Sequence, residues 1–404
     1  MIGLAAAAGV LLWAAATPPP ISPISGATLP FFFDDNHIFV TLDFVRRDGT
    51  KRRALAYVDD GTPQPVVASG LAAELGLTAD RPLVVQFGAL RLQAPGSMVA
   101  IDREGMGRNG PHGRRTIAVE AVLSGSMMKD YVVTINYRSR TLTLEPPRAV
   151  RDAGVPVPCF VNPRTGLIAV QGVVDGHPYD LAIDFGSAYT WFRRNAVQQW
   201  VIAHPDWLRG VGAVGESNMQ TQPPEATALV VRIPEMRIGD LRIRSAGALG
   251  ITPDLPPFPA FPGAPAVSGD MFDWYSAKSA RPVLGWIGAN VLRDFRLTID
   301  YPHRTIWWDR QRDADGHDLD QVGLTFGATR EGFFVSGIAQ HDGRPAATGF
   351  RLGDRLVRID SIDAATATRG AIFSALHGTP GEVKTIVVDR GGSRLTLSAP
   401  VVAF

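Results

Sequence analysis

Short runs of alternating apolar and polar residues dominate this chain, and they come in pairs. Phe39-Val40-Thr41-Leu42-Asp43-Phe44 and Ala54-Leu55-Ala56-Tyr57-Val58 flank Asp48-Gly49, and period-two alternation around an Asp-Gly turn predicts a β-hairpin. The same pattern returns as Ile168 to Val174, Asp175-Gly176, and Tyr179 to Ile183. Ala68 to Leu77 has helical spacing, and strands are predicted from there to about Leu144. Glu145-Pro146-Pro147 to Pro158 is rich in Pro and Val and reads as a linker. A second Pro-rich interruption, Thr252 to Ala266, is expected to be neither strand nor helix and to form an exposed loop.

The pairing extends further along the chain. Thr134-Ile135-Asn136-Tyr137-Arg138-Ser139-Arg140-Thr141-Leu142 reappears as Thr298-Ile299-Asp300-Tyr301-Pro302-His303-Arg304-Thr305-Ile306. Upstream, Val122-Leu123-Ser124 matches Trp286-Ile287-Gly288, and each leads into a short helix-like segment, Met127 to Tyr131 and Val291 to Phe295. Order and register agree in both halves, which identifies an internal duplication.

Each half also delivers an aspartate at the end of its hairpin. Asp59-Asp60-Gly61-Thr62 follows Tyr57-Val58, and Asp184-Phe185-Gly186-Ser187 follows Leu181-Ala182-Ile183. The Gly permits a tight turn with close backbone approach, and the next hydroxyl can donate to the carboxylate. Two such carboxylates brought face to face can share one proton and activate a water. On these residues the chain resembles an aspartic protease. Each repeat is about the size of one retropepsin-like subunit, and the fused pair resembles the two-lobed, pepsin-like arrangement.

That resemblance implies a mainly β fold with two tandem retropepsin-like acid-protease β-barrel lobes. It implies an aspartic-type endopeptidase with Asp59 and Asp184 as the catalytic dyad, Gly61, Thr62, Gly186 and Ser187 supporting their loops, and no metal or cofactor. The chain departs from the family pattern at several points. Asp60 and Phe185 stand where a small hydroxyl residue usually locks the lobes together, and Asp60 is expected to point toward solvent or a basic partner. Ser124 replaces a Gly, and Pro63 follows the first motif. Thr78 to Pro82 is too short for a substrate-covering flap, so a flap is assigned to the second lobe around Gly210, Gly212 and Gly215, with an excursion to about Ala228. Two alternatives stay open: a catalytically degenerate peptide-binding protein of the same fold, and a homodimeric protease using Asp184 from two chains.

The last 80 or so residues change character. Val322 to Phe326, Gly332 to Ile338, and the block from Gly349 to Asp360 resemble a PDZ domain of the bacterial type. The resemblance implies capture of a peptide as an added strand, with Gly323, Leu324, Thr325 and Phe326 holding its terminal carboxylate. A domain that only packs against the lobes and binds nothing is the competing reading.

Composition narrows the partners. The chain has 404 residues, 45% of them hydrophobic and 20% charged, enough for two or three domains. A net charge of +1 gives no reason to expect nucleic acid or a strongly charged substrate; the peptide or protein substrate is what the aspartic-protease resemblance implies. Cys159 is the single cysteine, so no internal disulfide or thiolate metal cage can form, and the eight histidines lack ligand spacing. Asp184-Phe185-Gly186 and the glycines from 210 to 215 mimic kinase and dinucleotide motifs, but their order and surroundings are wrong for either. Met1 to Ala16 reads as a signal peptide without its basic start, so the protein is expected to be exported, periplasmic or secreted, touching a membrane only through this segment. The expected boundaries are 1–16 signal peptide, 17–36 leader, 37–148 first lobe, 149–163 linker, 164–311 second lobe, and 320–404 PDZ domain.

Overall fold

The two predicted hairpins set the frame on which everything else is hung. The computed structural model describes residues 26–102, 119–147, 152–212, 223–251, 254–259, 266–329 and 331–404. The signal-peptide segment, residues 17–25 of the leader and Gly215 lie outside them. In the first lobe, β1 (Ala27–Asp34) leads to the hairpin of β2 (His37–Val45) and β3 (Lys51–Asp59), then β4 (Val66–Ala68) and helix α1 (Ser69–Leu75). The lobe continues with β5 (Leu83–Phe87), β6 (Leu90–Ala94), β7 (Ala100–Asp102), β8 (Val119–Ser124), α2 (Gly125–Met128), β9 (Val132–Asn136) and β10 (Thr141–Glu145). Burial follows the alternation: in β6, Leu90, Leu92 and Ala94 are buried while Arg91 and Gln93 are exposed, as a sheet with one solvated face requires.

The second lobe repeats the plan. It contains β11 (Val155–Pro158), β12 (Phe160–Val161), the hairpin of β13 (Ile168–Val174) and β14 (His177–Ile183), β15 (Thr190–Arg193), α3 (Arg194–Ala203) and β16 (Leu208–Val211). After these come the hairpin of β17 (Leu229–Ile238) and β18 (Leu241–Ile251), the ribbon of β19 (Asp254–Pro259) and β20 (Ala266–Asp270), and α4 (Met271–Ser279). The lobe closes with β21 (Val283–Ile287), α5 (Ala289–Leu292), β22 (Phe295–Asp300) and β23 (Thr305–Arg310). The fold is mainly β, as expected.

In each lobe the aspartate-bearing strand runs parallel to a central strand whose other side holds an antiparallel partner, β3-β8-β4 in one lobe and β14-β21-β15 in the other. The loop after each aspartate therefore crosses the end of the central strand. The lobes join in a continuous antiparallel seam, β11-β23-β22-β9-β10-β1. At its centre Thr134 faces Thr298, Val133 faces Ile299 and Ile135 faces Leu297. Thr134 and Thr298 are the equivalent residues of the duplication, so the pseudo-twofold axis passes between them, with their hydroxyl oxygens 3.2 Å apart. One core spans both lobes across this seam, from Phe44 and Phe87 through Ile135 and Leu297 to Phe185 and Trp308.

Three expected boundaries shift. Residues 27–34, taken as leader, form β1, which pairs with β10 up to Pro30 and with β2 from Phe31 onward. Val155–Pro158, taken as linker, is the outermost strand of the seam, where an unpaired side tolerates proline. The Pro-rich loop contributes a two-stranded ribbon whose register skips Pro256 and Pro257.

The C-terminal unit comprises β24 (Leu324–Thr329), β25 (Gly332–Ile338), β26 (Gln340–His341), β27 (Arg344–Pro345), β28 (Arg355–Ile359), β29 (Ile362–Asp363), α6 (Arg369–Leu376), β30 (Val383–Arg390) and β31 (Ser393–Pro400). Its sheet, in the order β24-β25-β28-β30-β31, packs on α6 around a core of its own that includes Phe326, Phe333, Phe373 and Ile386. The unit is attached to both lobes. Thr368 Oγ1 and Gly370 N, at the start of α6, donate to the Asp34 carboxylate of the first lobe at 2.6 and 2.9 Å. In the second lobe, Arg232 of β17 pairs with Asp318 and donates to the Phe404 carbonyl at 2.6 Å, while β16 pairs with β26.

Candidate active site

The two crossing loops bring Asp59 and Asp184 together at the axis. Asp59 ends β3, and its carboxylate accepts from Thr62 N at 3.0 Å and Thr62 Oγ1 at 2.5 Å. The Asp184 carboxylate accepts from Gly186 N at 2.9 Å and its backbone carbonyl accepts from Ser187 N at 3.3 Å, while the backbones of Gly186, Ser187 and, from the opposite lobe, Gly61 work against the rise that burial imposes on its carboxyl. Each carboxylate lies over the other lobe's glycine. A Cβ built on Gly61 would come within 2.7 Å of Asp184 Oδ1, and one on Gly186 within 2.9 Å of Asp59 Cβ. Only a residue without a side chain allows this approach from both sides.

Burial raises both carboxyls above the usual range, and at Asp184 the Asp59 charge adds to it. Two like charges in a buried pocket cannot both form, so the pair titrates as a unit. Thr62 behaves as its sequence suggests. Ser187 differs: its hydroxyl donates to Tyr189 O at 2.8 Å and accepts from Trp286 Nε1 at 3.0 Å, so it supports Asp184 through its backbone.

Asp60 overturns the expectation placed on it. Its side chain is fully buried and turned to the opposite lobe, where Oδ1 accepts from Phe185 N at 2.9 Å. The position after the aspartate faces the partner loop across the axis, leaving no route to solvent. Phe185 itself points the other way, into the shared core. Ser124 ends β8 opposite Asp59, where Ser124 Oγ lies 2.9 Å from Ser126 Oγ. Sequence reasoning missed Tyr57, two residues before Asp59. Its hydroxyl donates across the axis to Gly186 O, and its place on the aspartate's own strand was the available signal.

The flap residues divide. Gly210 lies in β16 against Gln340 O and the Phe404 ring, and Gly212 takes a positive φ of 98° with its N–H on Ala228 O. The base of the hairpin is thus held between β17 and the C-terminal unit. The expected carboxylate-binding residues are not presented as an open loop. Gly323, at a φ of +77°, packs on Ala346 and Phe404, and Leu324, Thr325 and Phe326 are buried in the edge strand β24. Val322 N donates to Leu376 O at the end of α6. Among the described residues no group of three or more His, Cys, Asp or Glu is placed to hold a metal ion.

No protein-family model matches this chain, and no curated protein matches it in sequence. Among solved structures it is similar to the crystal structure of an aspartic proteinase from Irpex lacteus, at 10% identity and a TM-score of 0.40, over 71% of this chain and 97% of that one. It is similar also to Basic 7S globulin from soybean, at 10% identity and a TM-score of 0.39, over 71% of this chain and 95% of that one.

Proposed function

We propose that this chain is an aspartic endopeptidase acting through Asp59 and Asp184. One observation supports it above the rest: two carboxyls, one from each repeat, buried at Asp184 and half-buried at Asp59, each lie over the other lobe's loop glycine. A pair so placed holds a single proton between its members over a wide pH range. The ionised member takes a proton from a bound water as it attacks the scissile carbonyl, and the protonated member hydrogen-bonds the carbonyl oxygen as the tetrahedral diol forms. Protonation of the leaving nitrogen completes the cycle and restores the pair, without a covalent intermediate. Activity then requires one proton on the pair, which favours acid pH.

For the C-terminal unit we favour a clamp over a recruiter. Its bonds to Asp34 in one lobe and Arg232 in the other support this, as does the burial of Leu324 to Phe326. Removing residues from about 320 onward should then reduce cleavage of short peptides and of proteins alike, whereas loss confined to proteins with a free C-terminus would restore the recruiting role. The export expected from Met1 to Ala16 belongs to the same proposal, and N-terminal sequencing of the secreted protein tests it.

The deciding experiment is the pair of variants Asp59→Asn and Asp184→Asn, assayed on a quenched-fluorescence peptide mixture at acid pH. Each should remove nearly all turnover while the protein stays folded, since members of one catalytic unit are strongly non-additive. Full turnover in Asp59→Asn with loss in Asp184→Asn would point to a site shared between two chains. Absence of turnover in the wild type over a broad substrate set would favour a peptide-binding protein.

A further inference from the structure

The dyad does not use every buried carboxyl at the axis. Asp60 is fully buried, and among the described residues only one of its oxygens is satisfied: Oδ1 accepts from Phe185 N, while Oδ2 has no hydrogen-bond partner there. Among the described residues it forms no ion pair. The charges that act on it most strongly are acidic, Asp184 in the facing loop and Asp59 beside it. Burial, with the Asp60 charge adding to it, raises the hydroxyls of Tyr57 on β3, Tyr137 after β9, Tyr275 on α4 and Tyr301 after β22. Of these, Tyr137 Oη, Tyr275 Oη and Tyr301 Oη are buried without a hydrogen-bond partner.

A carboxylate in this place would be a buried, uncompensated charge, among the costliest groups a protein can hold. A carboxylic acid fits instead. Its carbonyl oxygen accepts from Phe185 N, and the proton leaves uncharged the other oxygen, which no donor reaches among the described residues. Burial, then the Asp184 charge, then the Asp59 charge hold its carboxyl well above the usual carboxylate range.

We propose that Asp60 is a positioning residue that pins the second lobe's loop as a neutral acid, and that its ionisation sets like charges against each other across the axis and loosens the site. The residue would thereby limit activity at higher pH in a way that a small hydroxyl residue could not. This rests on the peptidase reading for its kinetic readout, but the physical claim has a second readout that needs no catalysis.

The sign of the linkage is fixed by the geometry. In the unfolded chain Asp60 loses its proton near the ordinary value of about 3.9, whereas in the folded chain it keeps it to higher pH. The folded state therefore binds the extra proton in that window, and stability falls as pH rises through it.

The test compares wild type with Asp60→Asn, whose amide oxygen still accepts from Phe185 N but cannot ionise, and with Asp60→Thr as a second non-ionising replacement. Melting temperature is followed between about pH 4 and pH 7, and kcat/KM over the same range. Both variants should lose less melting temperature across the window than wild type, and the alkaline limb of the Asp60→Asn profile should move to higher pH. A melting profile parallel to wild type in both variants would overturn the proposal, whether or not the protein cleaves peptides. A kinetic limb that stays in place beside a flattened melting profile would overturn the activity gate. Absence of turnover in all three proteins, with the melting difference present, would count against the peptidase reading alone.

Discussion

Adding a single methyl group at the axis is a direct probe of how the two loops meet. In Gly186→Ala the new Cβ would lie 2.9 Å from Asp59 Cβ, and nearer still to the carboxyl carbon. Non-bonded carbons settle at about 3.5 to 4.0 Å, so Asp59 must retreat by roughly 1 Å. Gly186 is not among the residues with positive φ, so the backbone tolerates alanine and the effect is collision alone. Overpacking of this kind costs about 1 to 3 kcal/mol in stability. A displacement of about 1 Å at a reacting group costs on the order of a hundredfold in rate. The chemistry should therefore suffer more than the fold. Steady-state cleavage of a fluorogenic peptide at acid pH, with thermal melting alongside, reads both. Gly61→Ala is the symmetric experiment, with its methyl 2.7 Å from Asp184 Oδ1, and should lose activity to a similar extent. Wild-type kcat/KM within about threefold in both variants, with melting unchanged, would refute the claim that each carboxyl rests on the opposite loop.

Other positions give contrasting outcomes. Gly70, exposed inside α1 with nothing within 4 Å of where an alanine methyl would sit, should accept alanine with a gain of about 1 kcal/mol in chemical denaturation. Arg369 is buried at 3.9 Å from Asp35, whose carboxyl burial pushes up to about 7 despite the pull of the guanidinium. Because the folded state keeps that proton to higher pH than the unfolded chain, stability should fall from about pH 4 to pH 7. Arg369→Ala removes a charge that holds the Asp35 carboxyl down, so the carboxyl stays protonated further into the range, and the cost of the substitution should grow between pH 4 and pH 7 by less than about 1 kcal/mol, as urea titrations at both ends of the range would reveal. Cys159 is buried with its thiol pushed up to about 12, so alkylation by iodoacetamide should be negligible in native protein and complete on denaturation.

The features legible in the sequence were those written in local pattern. The Asp48-Gly49 and Asp175-Gly176 turns, the alternation on either side, and the aspartates at the strand ends all depend on residues close together in the chain. The match of 134–142 with 298–306 revealed the duplication, whereas the pairing of its two copies, with Thr134 opposite Thr298, came only from the structure. The features that were missed depend on distant partners. β1 follows a Pro-rich run, and its Leu29 and Phe31 become strand only by pairing with β10 and β2. Val155–Pro158 carries the prolines of a linker but meets β23 at an open edge. Asp60 looked like a surface acid because nothing local reveals that the residue after Asp59 faces Phe185 from the other half. Likewise, nothing local in Gly323 to Phe326 reveals that Ala346 and Phe404 pack on Gly323 and that Leu324 and Phe326 join the core of the C-terminal unit.

The central pairing of the seam has one further implication. Where equivalent residues meet across an axis, the contact is isologous, and each half offers a surface complementary to its own copy. An excised first lobe would present β9 as an open edge, and an unpaired edge is a template for another strand. Its most complementary available partner is a second molecule of itself, in the register that Thr134 now shares with Thr298. The covalent link between the halves thus does more than connect them: it raises the local concentration of the correct half above that of any other molecule. Two halves held in this way can differ at the loop, with Asp60 in one and Phe185 in the other, and still keep the shared strand pairing that brings their aspartates together.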